Sequence, residues 1–176
     1  VTFILFQVSL FAQIGGQHVY SFLNLPNSAR VQALGGDAIT SRDDDVNMAY
    51  QNPGLINPLM TQQLSLTYVN YFAGINFGNV AYAFNVGKAG TAAASLQYIN
   101  YGDFDRTDAT GLITGNFTAG EYCLTTGFAR RIDSVFSVGL NLKTIYSAFD
   151  SYSSFGMAVD IGASYKSPDQ SFEAAL

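Results

Sequence analysis

The sequence predicts an all-β chain, an antiparallel transmembrane β-barrel of the outer-membrane type, here a fragment of about seven strands behind an irregular, short-helical N-terminal segment. Three observations carry that expectation. From Gln63 onward apolar residues recur at every second position, the period of a strand with two unlike faces. The alternating runs are about 9 to 12 residues long, beyond the ~5–6 of soluble sheets and matched to a tilted crossing of a ~25–30 Å apolar band. One register is apolar and the other small and polar, and the strand charges Glu121, Lys143 and Asp160 all fall in the polar register, where a lumen tolerates them.

Composition supports the same class. The 176 residues are 48% hydrophobic, 14% aromatic and only 12% charged, with 17 glycines; an ordinary soluble domain carries about 25% charged residues. No apolar run reaches the ~18 residues of a membrane helix, so a bilayer could be crossed only with strands. The net charge of −5, with eight scattered basic residues, argues against nucleic acid, which demands a basic face. Cys123 is the single cysteine, placed in a strand pattern as a buried thiol.

Taken in order, residues 1–12 (VTFILFQVSLFA) have the apolar core of a secretory signal peptide without its start, so the sequence is expected to begin within one and to be a fragment at both ends. Residues 13–62 read as an N-terminal plug or periplasmic lead-in. A helical turn is expected between Ser28 and Leu34, closed by Gly35-Gly36. The run Asp43-Asp44-Asp45 precedes one or two helical turns through Val46, Ala49 and Tyr50, favouring negative charge at their start. Asn52-Pro53-Gly54 then stops the helix, because proline holds the preceding residues out of helical geometry.

Residues 63–176 read as the first half of the barrel. Leu64, Leu66, Tyr68 and Phe72 share one face, as do Val80, Tyr82, Phe84 and Val86, then Leu96 and Tyr98. A polar loop is expected over 102–120, a fourth strand near Glu121 to Ala129 and a fifth carrying Phe136, Leu140, Leu142 and Tyr146. A second longer loop over 147–154 precedes a sixth strand and a seventh beyond 167–170. Tyr68, Tyr71, Tyr98, Tyr101, Tyr122 and Tyr146 are expected to ring one end, and Phe84, Phe128, Phe136, Tyr165 and Phe172 the other.

Chemistry-bearing constellations are sparse. The lone His18 makes a hydrolytic triad an unpromising reading, and Asp43-Asp44-Asp45 lacks the alternating spacing of a calcium loop. Glu121, Lys143 and Asp160 read as a lumen charge network. Asp103, Asp105, Arg106 and Asp108 form a mixed-charge loop where a surface partner would dock. The chain reads as non-enzymatic, with no cofactor or metal expected.

Four segments together resemble a known family. The stretch from Leu25-Pro26 through Ser28, Ala29 and Arg30 to Gly35-Gly36, the acidic run into Asn52-Pro53-Gly54-Leu55, Leu64 to Phe72, and Gln97 to Gly102 are similar to PorQ proteins, outer-membrane components of the bacterial type IX secretion system. The Asn52-Pro53-Gly54-Leu55 motif also resembles the wider FadL-like superfamily of fatty-acid channels and the related PorV proteins. The resemblance covers nearly all of residues 15–176. It implies a 14-stranded barrel, of which this chain carries about half, made after Sec-dependent export to the outer membrane. It also implies a PorZ-like surface partner, in a complex that attaches secreted cargo to lipopolysaccharide. A FadL-like channel for hydrophobic small molecules is the alternative. No catalytic residue comes with the resemblance, and Gly54 stands where the family often has Ala.

Overall fold

Seven antiparallel strands form one curled, half-barrel sheet in plain sequence order. They are β1 Leu64–Asn70, β2 Asn76–Asn85, β3 Thr91–Thr107, β4 Ile113–Arg131, β5 Phe136–Phe149, β6 Tyr152–Lys166 and β7 Glu173–Ala175. The computed structural model describes residues 19–169 and 171–176; the expected signal peptide over 1–12, the start of the lead-in and His18 lie outside them. Among the described residues no helix is long and apolar enough to cross a membrane.

The period-two pattern works as expected. Along β4 from Ala119 to Arg130 every second side chain is buried and its neighbours are largely exposed. The buried register faces the N-terminal segment, which comprises α1 (Ala29–Ala33), α2 (Met48–Gln51) and 3₁₀ turns at Ser21–Asn24, Pro53–Leu55 and Pro58–Met60. Large side chains of this segment, Val31, Met48, Leu55 and Met60, pack on small wall residues Ala81, Ala83, Ala93 and Ala129. Phe22 fills a second cluster with Ile99, Cys123 and Ile145. The inner register is therefore small under the helices and apolar under Phe22, and polar elsewhere.

The outer face is bare and apolar. Tyr68, Gly78, Tyr98, Tyr122, Tyr146 and Phe155 are successive lateral partners, forming one row across six strands. Six residues further along the strands, Phe84, Ala92, Phe128, Leu140 and Ile161 form another. Between those rows the outward register holds no charged side chain among the described residues. Leu66 is 71% exposed and Ile161 81%. Just past the tyrosine row, Asn70, Asn76 and Asn100 pair in a polar row. Asn76 Oδ1 there accepts from the Tyr68 hydroxyl at 2.9 Å and from Asn70 Nδ2 at 3.0 Å.

Three expectations are corrected. The polar loop over 102–120 is mostly paired strand: after a register shift beyond Asn100, Asp103 faces Thr118, Phe104 faces Phe117 and Arg106 faces Gly115. Phe104 and Phe117 stack at 5.4 Å. Likewise the loop over 147–154 shrinks to Asp150-Ser151, and β3 and β4 run to 17 and 19 residues instead of about 9 to 12. A hairpin wet on both faces needs no apolar register, so its backbone pairing leaves no period-two trace. The third correction is Tyr101. It falls outside the outer tyrosine row, because three residues from outward Tyr98 it shares the inward register of Ile99, and its hydroxyl donates to inward-facing Glu121 at 2.5 Å.

Candidate functional site

Asn52-Pro53-Gly54 is where the N-terminal segment locks to the sheet. Proline at the first position of the 3₁₀ turn loses no hydrogen bond, and the Asn52 side chain caps the turn by accepting from Gly54 N–H at 2.8 Å. Asn52 Nδ2 donates to the carbonyls of Ile39 at 3.1 Å and Leu176 at 3.4 Å, so one side chain ties the turn to two other segments. Pro53, Gly54 and Leu55 are all buried.

The receiving surface is a pair of glycines. Gly139 on β5 and Gly162 on β6 are direct lateral partners on the inner face. A Cβ on Gly139 would strike the Pro53 carbonyl, and one on Gly162 would strike Asn52 Oδ1. Gly54 in turn sits against the Ala163 backbone, where a Cβ would approach within 2.8 Å. Ser164 Oγ donates to the Gly54 carbonyl at 2.7 Å and Asn141 Nδ2 to that of Ala49 at 2.9 Å. Backbone thus meets backbone, which only residues without side chains permit. In the sequence these glycines looked like generic small lumen residues. Their concentration in one register of β5 and β6 was the available sign of a close approach.

The other motif residues hold the segment's own shape. Ser28 Oγ caps α1 by accepting from Val31 N–H at 3.2 Å, Ala29 opens the helix, and Gly35 and Gly36 close it at φ of 103° and 95°. Arg30 bridges Asp43 and Asp45. Asp45 also accepts from Asn47 N–H at 3.0 Å. Asp43 and Asp45 are therefore spent on Arg30 and on backbone N–H groups two residues on. Among the described residues Asp44 accepts only from Gln63 Nε2 at 3.5 Å, and no acid lies in the first turn of α2.

Burial alone would raise the Asp43 carboxyl, but the Arg30 guanidinium and a backbone N–H together hold it below the usual carboxylate range. A lowered folded-state pKa gives stability that is complete above the unfolded value of ~4 and lost as the pH falls through the lowered one. Arg30→Gln should accordingly reduce melting temperature at pH 7 and have a smaller effect at pH 3, compared by thermal unfolding.

The expected lumen network divides in two. Lys143 and Asp160 form an ion pair at 2.9 Å, with the Lys143 ammonium 4.4 Å from the Tyr50 ring centroid on α2. Glu121 stands apart, buried and bonded to Tyr101. Its lateral partner on β5 is Ser147, four residues from Lys143 and so ~13 Å along the strand. Asp160→Asn leaves Lys143, only 13% exposed, without its counter-charge. A loss of about 1–3 kcal/mol is expected, read from chemical unfolding in detergent.

Of the four partner-loop residues, Asp103, Asp105 and Arg106 lie on the extended hairpin strand β3 and only Asp108 is in a turn. Arg106 pairs with Asp150 of the neighbouring hairpin. Asp108 shapes the tip by accepting from the N–H groups of Thr110 at 2.8 Å and Leu112 at 3.0 Å. Phe104, Leu112 and Ile113 are exposed there.

A cavity of about 590 Å³ lies between the N-terminal segment and β1–β3, lined by Leu25, Pro26, Val69, Ile75, Phe77 and Ile99 among others. Below it the seam turns polar: Asn27, Asn79, Gln97 and Asn141 are each 1% exposed. No family model matches the chain, and no curated protein or solved structure matches it. The functional reading rests on the geometry above and on the sequence resemblance.

Proposed function

We propose that this chain is half of an outer-membrane β-barrel whose lumen is occupied by its own N-terminal plug, serving as a non-enzymatic anchor in a type IX secretion attachment complex. The carrying observation is the outer face, uncharged from the tyrosine row to the phenylalanine row and bounded by asparagines. A water-facing sheet places Lys, Glu and Asp there, whereas lipid excludes them. A tyrosine-rich row at one limit suits one membrane interface; at the other, beyond Phe84 and Phe128, the Phe136–Tyr165 pair lies ten residues along β5 and β6 from Tyr146 and Phe155 and suits the second.

In this reading the β3–β4 hairpin stands clear of the lipid and offers Asp103, Asp105, Arg106, Phe104 and Leu112 to a PorZ-like surface protein. Cross-linking in isolated outer membranes tests the role. Recovery of a PorZ-like partner, lost on deleting residues 104–116, supports it; recovery of no surface protein from intact membranes rejects it.

One observation favours a second reading. The apolar cavity beside β1–β3 is large enough for a small hydrophobic ligand, as a FadL-like channel would need. Fatty-acid binding by the purified protein, abolished by Ile99→Lys, would select this reading, and absence of binding would remove it.

A further inference from the structure

The end of the sheet carrying the β2–β3, β4–β5 and β6–β7 connections holds a basic recess that the anchoring role does not use. A cavity of about 460 Å³ is lined by Arg42, Arg131 and Lys166 together with Asn57, Ser134 and Ser167. A neighbouring one of about 220 Å³ shares Arg42, Asn57 and Arg131 and adds Lys88 and Arg130. Five of the eight basic residues in the sequence therefore meet here, in a chain of net charge −5, and no acidic side chain lines either cavity.

The acids nearest this end are already committed. Glu173 pairs with Lys166 at 2.6 Å and accepts from Arg42 N–H at 3.3 Å. Asp43 holds Arg30, Asp133 accepts from Ser134 N–H at 2.6 Å, and Asp169, next to the wall, accepts from the hydroxyls of Ser167 at 2.5 Å and Ser171 at 2.6 Å. Arg131 has no ion-pair partner among the described residues. The Arg42 side chain is steadied by donating to the Val135 carbonyl at 3.3 Å. Burial, then the Arg131 charge, lowers the Arg42 pKa against the opposing effect of Glu173. Like charges held close around an empty volume are a cost unless an anion neutralises them.

We infer that this recess binds a phosphate-bearing ligand, with Arg42 and Arg131 gripping the phosphate; Asn57 and Ser167 shape its wall, their own donors being taken by the Asp43 and Leu55 carbonyls and by Asp169. Planar guanidiniums match phosphate oxygens two at a time. A volume of about 460 Å³ leaves room for an organic body beyond the phosphate itself. On the outer face Arg130 lies two residues past Phe128, at the limit of the apolar band, where a phospholipid headgroup would sit. A soluble phosphate ester offers the same chemistry. The inference is independent of the partner protein, and only its lipid source depends on the chain being membrane-embedded.

Native mass spectrometry of the purified protein in detergent tests it, with phosphatidylglycerol, glycerol 3-phosphate and an uncharged glycolipid of the same acyl chains as probes. Phosphatidylglycerol or glycerol 3-phosphate adducts are expected on the parent protein, and which of the two persists identifies the source. Arg42→Gln combined with Arg131→Gln should weaken retention about tenfold. Arg131→Gln alone, at a residue without an ion-pair partner, should give a partial loss even if the double variant folds poorly. Equal retention by parent and Arg131→Gln protein, or binding of the uncharged glycolipid alone, overturns the inference.

Discussion

Gly139→Leu is expected to expel the 52–56 turn from the inner wall. The new side chain would occupy the position of the Pro53 carbonyl, which is rigid backbone and cannot rotate away. Overpacking a rigid contact costs about 1–3 kcal/mol and more when neither side can relax. The cheaper response is release of the turn, with loss of the Asn52 bonds to Ile39 and Leu176 and of the Ser164 bond to Gly54. Trypsin should then cut after Arg42, which is partly buried in the parent protein, while the strands stay resistant. Gly54→Ala should give a milder form of the same change, because its Cβ would approach the Ala163 backbone within 2.8 Å. Alanine, often found there in the resembled family, does not fit this chain without movement. An Asn52-Pro53 to Ala-Ala variant with unchanged trypsin resistance would refute the locking role.

Val159→Arg carries the second large effect. Val159 is 59% exposed in the middle of the outer band, with Leu142 as its lateral partner. On a water-facing sheet an exposed Val→Arg change falls within about 0.5 kcal/mol. Near the midplane of a bilayer it costs about 2–4 kcal/mol. Urea unfolding in lipid vesicles should therefore show a loss of that order for Val159→Arg and almost none for Thr118→Arg on the extended hairpin.

The strand faces were legible in the sequence because burial on one side of a sheet imposes period two on β1, β2, β3 up to Asn100, β4 from Ala119, β5 and β6. The capped turns were legible too, since Ser28, Gly35-Gly36 and Asn52-Pro53 act through local backbone geometry. The hairpin beyond Asn100 was not, because neither of its faces requires apolar residues. Tyr101 was grouped with the outer ring by height alone: it stands three residues from Tyr98, and period two already assigns it to the opposite face, with Gln97 and Ile99. Glu121 was grouped with Lys143 and Asp160 on register alone, which assigns a face but not a height. Gly139 and Gly162 were read as small residues, although their purpose appears only once Pro53 rests on them.

The central claim is that the outer face meets lipid. Nitroxide labels at Leu66, Leu124 and Val159, placed one at a time in a Cys123→Ser background and reconstituted in vesicles, test it directly by electron paramagnetic resonance, with Thr110 at the hairpin tip as the reference. Collisions with oxygen should dominate at the three outer positions and collisions with a water-soluble nickel chelate at Thr110. Equal nickel accessibility at all four positions would contradict a lipid-facing barrel.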